Sequence, residues 1–122
     1  MARTAAEMVA EAKAKVQAIA PEDVADLDNV LIVDVRDAPE VAASGKVPGA
    51  VHVPRGMLEF RADPSSPYHD RNFDPAKTVV LYCASGGRSA LSGVALQELG
   101  YKDVRNMGAF KDWAEKGLPV EK

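Results

Sequence analysis

Two short runs of apolar residues lie in the middle of the chain. Residues 30–33 (Val-Leu-Ile-Val) and residues 78–82 (Thr-Val-Val-Leu-Tyr) consist mostly of β-branched and large apolar side chains. Continuous runs of this kind are typical of strands that are buried on both faces of a parallel sheet. Helical patterns follow both runs, at residues 37–43 and residues 89–99, and the second ends at Gly100. This alternation predicts an α/β domain with a mainly parallel sheet.

The N-terminal segment shows a helical pattern of its own. Thr4 and Glu7 have the spacing of a capping box, and apolar residues recur at helical spacing from Met8 to Ile19. We therefore expect residues 1–20 to form an amphipathic helix of about four turns, followed by a domain over residues 21–122. Packing of this helix on its own domain is favoured over docking to a membrane or to a partner.

Shorter patterns complete the expected order of elements. Residues 50–53 alternate as a short strand does, and Phe110 and Trp113 have the spacing of the core face of a closing helix. Residues 60–75 are crowded with prolines and turn formers and predict a long loop after one helical turn at residues 57–61. Loops of this length are often functional, and a passive insertion is the equal alternative.

Composition and charge limit the class of protein. A chain of 122 residues with 47% hydrophobic and 27% charged residues is typical of one globular domain. The formal net charge of -3 and the pI of 5.3 provide no basic footprint for nucleic acid or for an anionic membrane surface. We therefore expect neither partner, and the composition leaves the oligomeric state open.

The cysteine content bears on the compartment. A single cysteine, Cys83, excludes a disulfide within the chain and favours a reducing environment. No apolar run approaches the roughly 18 residues of a membrane span, and Glu7 and Glu11 interrupt the segment where a signal peptide would be apolar. A cytoplasmic location is expected.

Cys83 lies where the second apolar run ends and a helix begins. In an open α/β sheet this is the edge at which ligands bind. Gly86 and Gly87 allow a tight turn in which several N–H groups can point at the sulfur. A helix N-terminus and the nearby Arg88 favour thiolate over thiol, so we expect a lowered pKa for Cys83. The alternative is a buried cysteine that acts as a small hydrophobe.

Three segments, in the same order, resemble those of one known family. The loop around the cysteine is similar to the active-site loop of rhodanese-type sulfurtransferases. Its residues are Cys83, Ala84, Ser85, Gly86, Gly87, Arg88 and Ser89. The segments at residues 33–50 and residues 107–120 resemble the family's other motifs, with Lys46 in place of a common histidine and Ala109 in place of a common glycine.

This resemblance implies a fold and an activity. The fold would be a central, mainly parallel sheet of five strands flanked by helices on both faces, here with an extra N-terminal helix. Cys83 would be the catalytic nucleophile, loaded with a sulfane sulfur from a small donor such as thiosulfate to give a persulfide. A thiol, a protein or cyanide would accept the sulfur, and the amides of residues 84–89 would bind the substrate. The resemblance implies no cofactor.

The charged residues near these motifs leave alternatives open. Arg88 could attract an anionic donor, or it could brace the loop against an acid such as Asp34. Asp34 and Arg36 could support the active-site loop or pair with neighbours, and the spacing favours a salt bridge from Arg36 to Glu40. His52 and His69 lack a second ligand at metal spacing, so no metal site is expected.

Two other functions compete with sulfur transfer. Cysteine-dependent phosphatases and arsenate reductases also use a thiolate in a strand-to-helix loop closed by an arginine, but they place five residues between the two. Cys83 and Arg88 enclose four. The other competitor is a sulfur carrier or regulatory binding module with poor turnover of its own.

Overall fold

The computed structural model describes residues 2–122 and contains one sheet of five parallel strands in that part of the chain. The strands are β1 (Gln17–Ala18), β2 (Val30–Asp34), β3 (Val51–His52), β4 (Thr78–Cys83) and β5 (Asp103–Ala109). Their order in the sheet is β1-β5-β4-β2-β3. The expected α/β fold with a five-stranded parallel sheet is confirmed, and the two apolar runs form the adjacent strands β2 and β4.

Helices cover both faces of the sheet. They are α1 (Ala5–Lys15), α2 (Pro21–Val24), α3 (Ala38–Ser44), α4 (Leu58–Ala62, after a 3-10 turn at Arg55–Met57), α5 (Gly87–Glu98) and α6 (Phe110–Glu115). No helix within residues 2–122 combines the length and the apolar character needed to cross a membrane.

The central strand β4 divides the hydrophobic core into two clusters. Its side chains alternate between the faces, as the pleat of a strand requires. Leu81 and Cys83 lie in a cluster with residues of α4 and α5, whereas Val80 and Tyr82 lie in a cluster with residues of α2 and α6. All four side chains are fully buried, which explains why consecutive positions of this strand are hydrophobic.

The N-terminal helix ends earlier than expected. The capping box forms, with Thr4 and Glu7 exchanging hydrogen bonds of 2.9 and 3.1 Å, but α1 stops at Lys15 and not near residue 20. Gln17 and Ala18 form strand β1 because they complete the open edge of β5. The helical spacing up to Ile19 therefore spans a helix and a strand. Met1, part of the expected 1–20 segment, lies outside the described residues.

The proline-rich segment precedes β4, whose other end carries Cys83. After α4 it leads to the amino end of β4, and its Phe73 is buried in an edge-to-face contact with Tyr101. The Tyr101 hydroxyl donates a 2.8 Å hydrogen bond to the carbonyl of Ala62. These contacts anchor the loop at the edge of the sheet opposite to the one where β4 ends.

Candidate functional site

The site is built where β4 ends and α5 begins. Cys83 is the last residue of β4, and Gly86 caps α5 with φ of +95°, a left-handed conformation that glycine adopts readily. The turn directs the Gly86 N–H at the Cys83 Sγ atom, with a distance of 3.0 Å. Of the sequence-predicted loop residues, Gly86 and Ser89 lie within contact distance of the sulfur.

The Cys83 side chain is fully buried, but the groups around its sulfur are polar. Burial raises the pKa of the thiol, whereas the Ser89 hydroxyl, when it donates to the sulfur, and the backbone of Ser89, Ser85 and Gly86 lower it. The hydrogen bonds outweigh burial, and the pKa of Cys83 lies below its ordinary value, as expected. The sulfur thus has polar neighbours although Cys83 belongs to a hydrophobic cluster.

Ser89 and Asn106 form a second layer behind the sulfur. The Ser89 Oγ atom lies 3.5 Å from Cys83 Sγ and donates a 2.7 Å hydrogen bond to Asn106 Oδ1. The Asn106 amide in turn donates to the carbonyl of Gly86 at 3.3 Å. Asn106 was not predicted from the sequence, where it stands as a polar residue directly before the segment that starts at Met107.

Arg88 is engaged by an acid. Its two terminal nitrogens donate to the two carboxylate oxygens of Glu40 at 3.0 and 2.9 Å, which joins α5 to α3. This hydrogen-bonded pair lowers the pKa of Glu40. Of the two roles considered, the geometry supports bracing, but the partner is Glu40 and not Asp34. The prediction of a salt bridge from Arg36 to Glu40 is wrong, because Glu40 pairs with Arg88 and Arg36 pairs with Asp34.

Asp34 and Arg36 lie together on the face of the sheet opposite to the Cys83 side chain. The Arg36 guanidinium donates to Asp34 Oδ2 at 2.7 Å and to the Gly45 carbonyl at 2.7 Å. It also lies over the Phe110 ring, 4.4 Å from the centroid. Both side chains are buried, and they tie the ends of β2 and α3 together without touching the sulfur.

The exposed side of the loop faces helix α1. Ala84 and Ser85 are exposed, whereas a Cβ atom on Gly87 would lie 3.5 Å from Val9. Lys13 and Ser85 line a shallow groove that continues to Gly108 and Asp112. Within the part of the chain that the structure describes, no group of three His, Cys, Asp or Glu side chains could hold a metal ion.

Comparisons with known proteins show what the chain is similar to. A family model described as Rhodanese-like domain matches residues 16–116. A sulfurtransferase from Allochromatium vinosum is 37% identical, with 79% of this chain and 82% of that protein covered. The thiosulfate sulfurtransferase PspE of Escherichia coli is 35% identical, with 67% and 72% covered.

A solved structure matches nearly the whole chain, including α1. It is a protein of unknown function from Rhodopseudomonas palustris, named "possible tyrosine phosphatase", with 38% identity and a TM-score of 0.91. The alignment covers 99% of this chain and 96% of that one. This similarity extends beyond the segment that the family model matches.

Proposed function

This chain belongs to the rhodanese-like family, and from that premise we propose that it is an enzyme that moves a sulfane sulfur through a persulfide on Cys83. The donor is a small anion such as thiosulfate, and the acceptor is a thiol or cyanide. The observation that carries the proposal is the Gly86 N–H aimed at the buried Cys83 sulfur, in a loop whose hydrogen bonds lower the thiol pKa. A reducing compartment such as the cytoplasm suits an enzyme that needs its one cysteine free.

The reaction has two half-steps. The Cys83 thiolate attacks the outer sulfur of thiosulfate, the S–S bond of the donor breaks, and sulfite leaves with the electron pair. The acceptor then attacks the terminal sulfur of the persulfide, and Cys83 departs as a thiolate. The same amides that hold the thiolate would bind the terminal sulfur of the persulfide, because they are fixed before the reaction and need little reorganisation.

The loop also explains how the donor would reach a buried sulfur. Ala84 and Ser85 are its exposed residues, and neither carries a bulky or charged side chain. The donor would enter past them, between the loop and the groove lined by Lys13 and Gly108.

Phosphatase activity is the competing function, favoured by the name of the Rhodopseudomonas palustris protein. A phosphatase of this type would use its loop arginine to bind the phosphate oxygens. Here both terminal nitrogens of Arg88 are bonded to Glu40, and four residues separate Cys83 from Arg88. A short loop whose arginine is already paired with Glu40 suits the binding of one sulfur atom better than the binding of a phosphate group.

The test compares the two reactions on the same protein. Turnover is measured with thiosulfate plus cyanide, with thiosulfate plus a small thiol, and with an aryl phosphate. We expect sulfur transfer in at least one of the first two assays, loss of it in Cys83→Ser, and no phosphate release. Phosphate release without sulfur transfer would establish the phosphatase. Sulfur loading without turnover would instead show a carrier.

A further inference from the structure

Asn106 lies at the junction of β5, the active-site loop and the sulfur, yet the proposed reaction does not use it. It is 9% exposed, and each polar atom of its side chain has a partner in the loop or next to it. Its backbone carbonyl also accepts a 3.1 Å hydrogen bond from the N–H of Ile19. The residue is therefore held from both sides, and its amide is fixed in place.

The orientation of this amide follows from its neighbours. The Gly108 N–H donates to Asn106 Oδ1 at 2.9 Å, so that atom must be the acceptor. The amide nitrogen faces the Gly86 carbonyl at 3.3 Å and must be the donor. A flipped amide would place a donor against the Gly108 N–H and an oxygen against the Gly86 carbonyl. The position next to Ser89 is therefore an acceptor.

The Ser89 hydroxyl has a single proton to donate, and this acceptor determines its direction. At 2.7 Å the hydroxyl donates to Asn106 Oδ1, which leaves an oxygen lone pair toward Cys83 Sγ at 3.5 Å. That arrangement suits the neutral thiol, whose S–H can donate to Ser89. A sulfur anion requires the opposite, and rotation of the hydroxyl about its C–O bond provides it without breaking a covalent bond.

We propose that Asn106 is a positioning residue, which competes with the Cys83 sulfur anion for the Ser89 proton and holds the Gly86 peptide in place. The proposal concerns the same site as the proposed function and rests on it. The competition for the Ser89 proton sets how readily the Cys83 thiol ionises. The contact with Gly86 limits the movement of this residue, whose N–H contacts the sulfur, since the Gly86 carbonyl is held by Asn106 and by the Ala90 N–H at 3.1 Å.

The two roles of Asn106 have opposite effects on the pKa of Cys83, and a double-mutant cycle separates them. Asn106→Ala removes the competing acceptor, so Ser89 donates to the sulfur and the pKa of Cys83 falls. In a Ser89→Ala background the hydroxyl is absent, and Asn106→Ala has only its effect on the Gly86 peptide, which raises the pKa. The difference between the two backgrounds measures the hydroxyl alone.

The experiment follows the rate of Cys83 alkylation by iodoacetamide against pH in the full chain. We expect the shift caused by Asn106→Ala to differ between the two backgrounds by about one pH unit, or about tenfold in the thiolate fraction. Equal shifts in both backgrounds, or no shift in either, would overturn the proposal. Asn72→Ala, at an exposed position in the proline-rich loop, is the matched control and should leave the profile unchanged.

Asn106→Asp provides a second variant if Asn106→Ala does not fold. The carboxylate keeps an acceptor at the Ser89 hydroxyl and adds negative charge near the sulfur, so the midpoint of the alkylation profile should rise. An unchanged or lowered midpoint would contradict the proposal. Alkylation does not depend on sulfur transfer, and thiosulfate loading is measured separately, so failure of one idea is distinguishable from failure of the other.

Discussion

Arg88 pairs with Glu40, and we propose that it braces the loop and does not bind the substrate. The two side chains are 33% and 37% exposed, so the pair contributes little to global stability, about 0–1 kcal/mol. The effect of the Arg88–Glu40 pair is local, because the pair ties the first turn of α5 to α3. It thereby limits the movement of the loop that follows Cys83.

Removing either partner should therefore impair the loop by a similar amount. We expect Arg88→Ala and Glu40→Ala each to lower kcat/KM for sulfur transfer about fivefold to tenfold, which corresponds to about 1 kcal/mol, and the double variant to lose no more than either one. Steady-state kinetics with thiosulfate checks this. Arg105→Ala, which breaks the comparable Arg105–Asp103 pair on β5, is the matched control.

A different result for the two single variants would give Arg88 another role. If Arg88→Ala abolished activity while Glu40→Ala left it unchanged or raised it, Arg88 would bind the donor directly.

At the scale of single residues, the sequence predicted what depends on local spacing. Cys83 and the glycines that follow it are close in the chain, so their geometry could be predicted from the sequence. The partner of Arg36 was not, because Arg36 precedes α3 and the helical spacing to Glu40 does not apply there. Asn106 was missed because its partners, Gly86 and Ser89, are 20 and 17 residues away and meet it only in the folded sheet.

Helix α1 packs on α5 through a close approach at Gly93. A Cβ atom on Gly93 would lie 2.7 and 2.9 Å from the two methyl groups of Val16, closer than real side chains allow. Val16 is buried at the point where α1 ends and β1 begins. This contact therefore fixes the position of α1, which in turn covers Gly87 of the active-site loop through Val9.

Gly93→Ala should lower the free energy of unfolding by about 1–2 kcal/mol, because overpacking outweighs the better helix propensity of alanine. Val16→Ala in the same chain should recover part of the loss by making room. Urea unfolding followed by circular dichroism measures both. Gly56→Ala, where the added atom meets nothing within 4 Å, is the control; a loss there equal to that at Gly93 would contradict the packing argument.

At the scale of elements, the strands buried on both faces and the short edge strand β3 were predicted from the sequence, whereas β1 and β5 were not. β2 and β4 are continuous apolar runs, whereas β5 contains Asp103, Arg105 and Asn106 and has no such pattern. β1 is two residues long and exists only because β5 offers an open edge. Pairing with a neighbour, and not local preference, makes these strands.

For the molecule as a whole, the sequence pattern predicted the class of fold, and the family resemblance predicted the number of strands. Alternating runs and helices indicate a parallel sheet, but they do not count strands that lack a pattern. The location of the site was predictable from the architecture, since ligands bind at the carboxyl ends of parallel strands. The chain has a net charge of -3, so attraction of an anionic donor must be a local property of the loop.

The most direct test of the account is the intact mass of the protein after exposure to thiosulfate. We predict a gain of one sulfur atom on Cys83 that is reversed by a dithiol reductant and absent in Cys83→Ser. Alkylation of the untreated protein shows beforehand that the thiol is free to react. If Cys83 alkylates but gains no sulfur from thiosulfate or from polysulfide, then the loop does not hold a persulfide and the account is wrong.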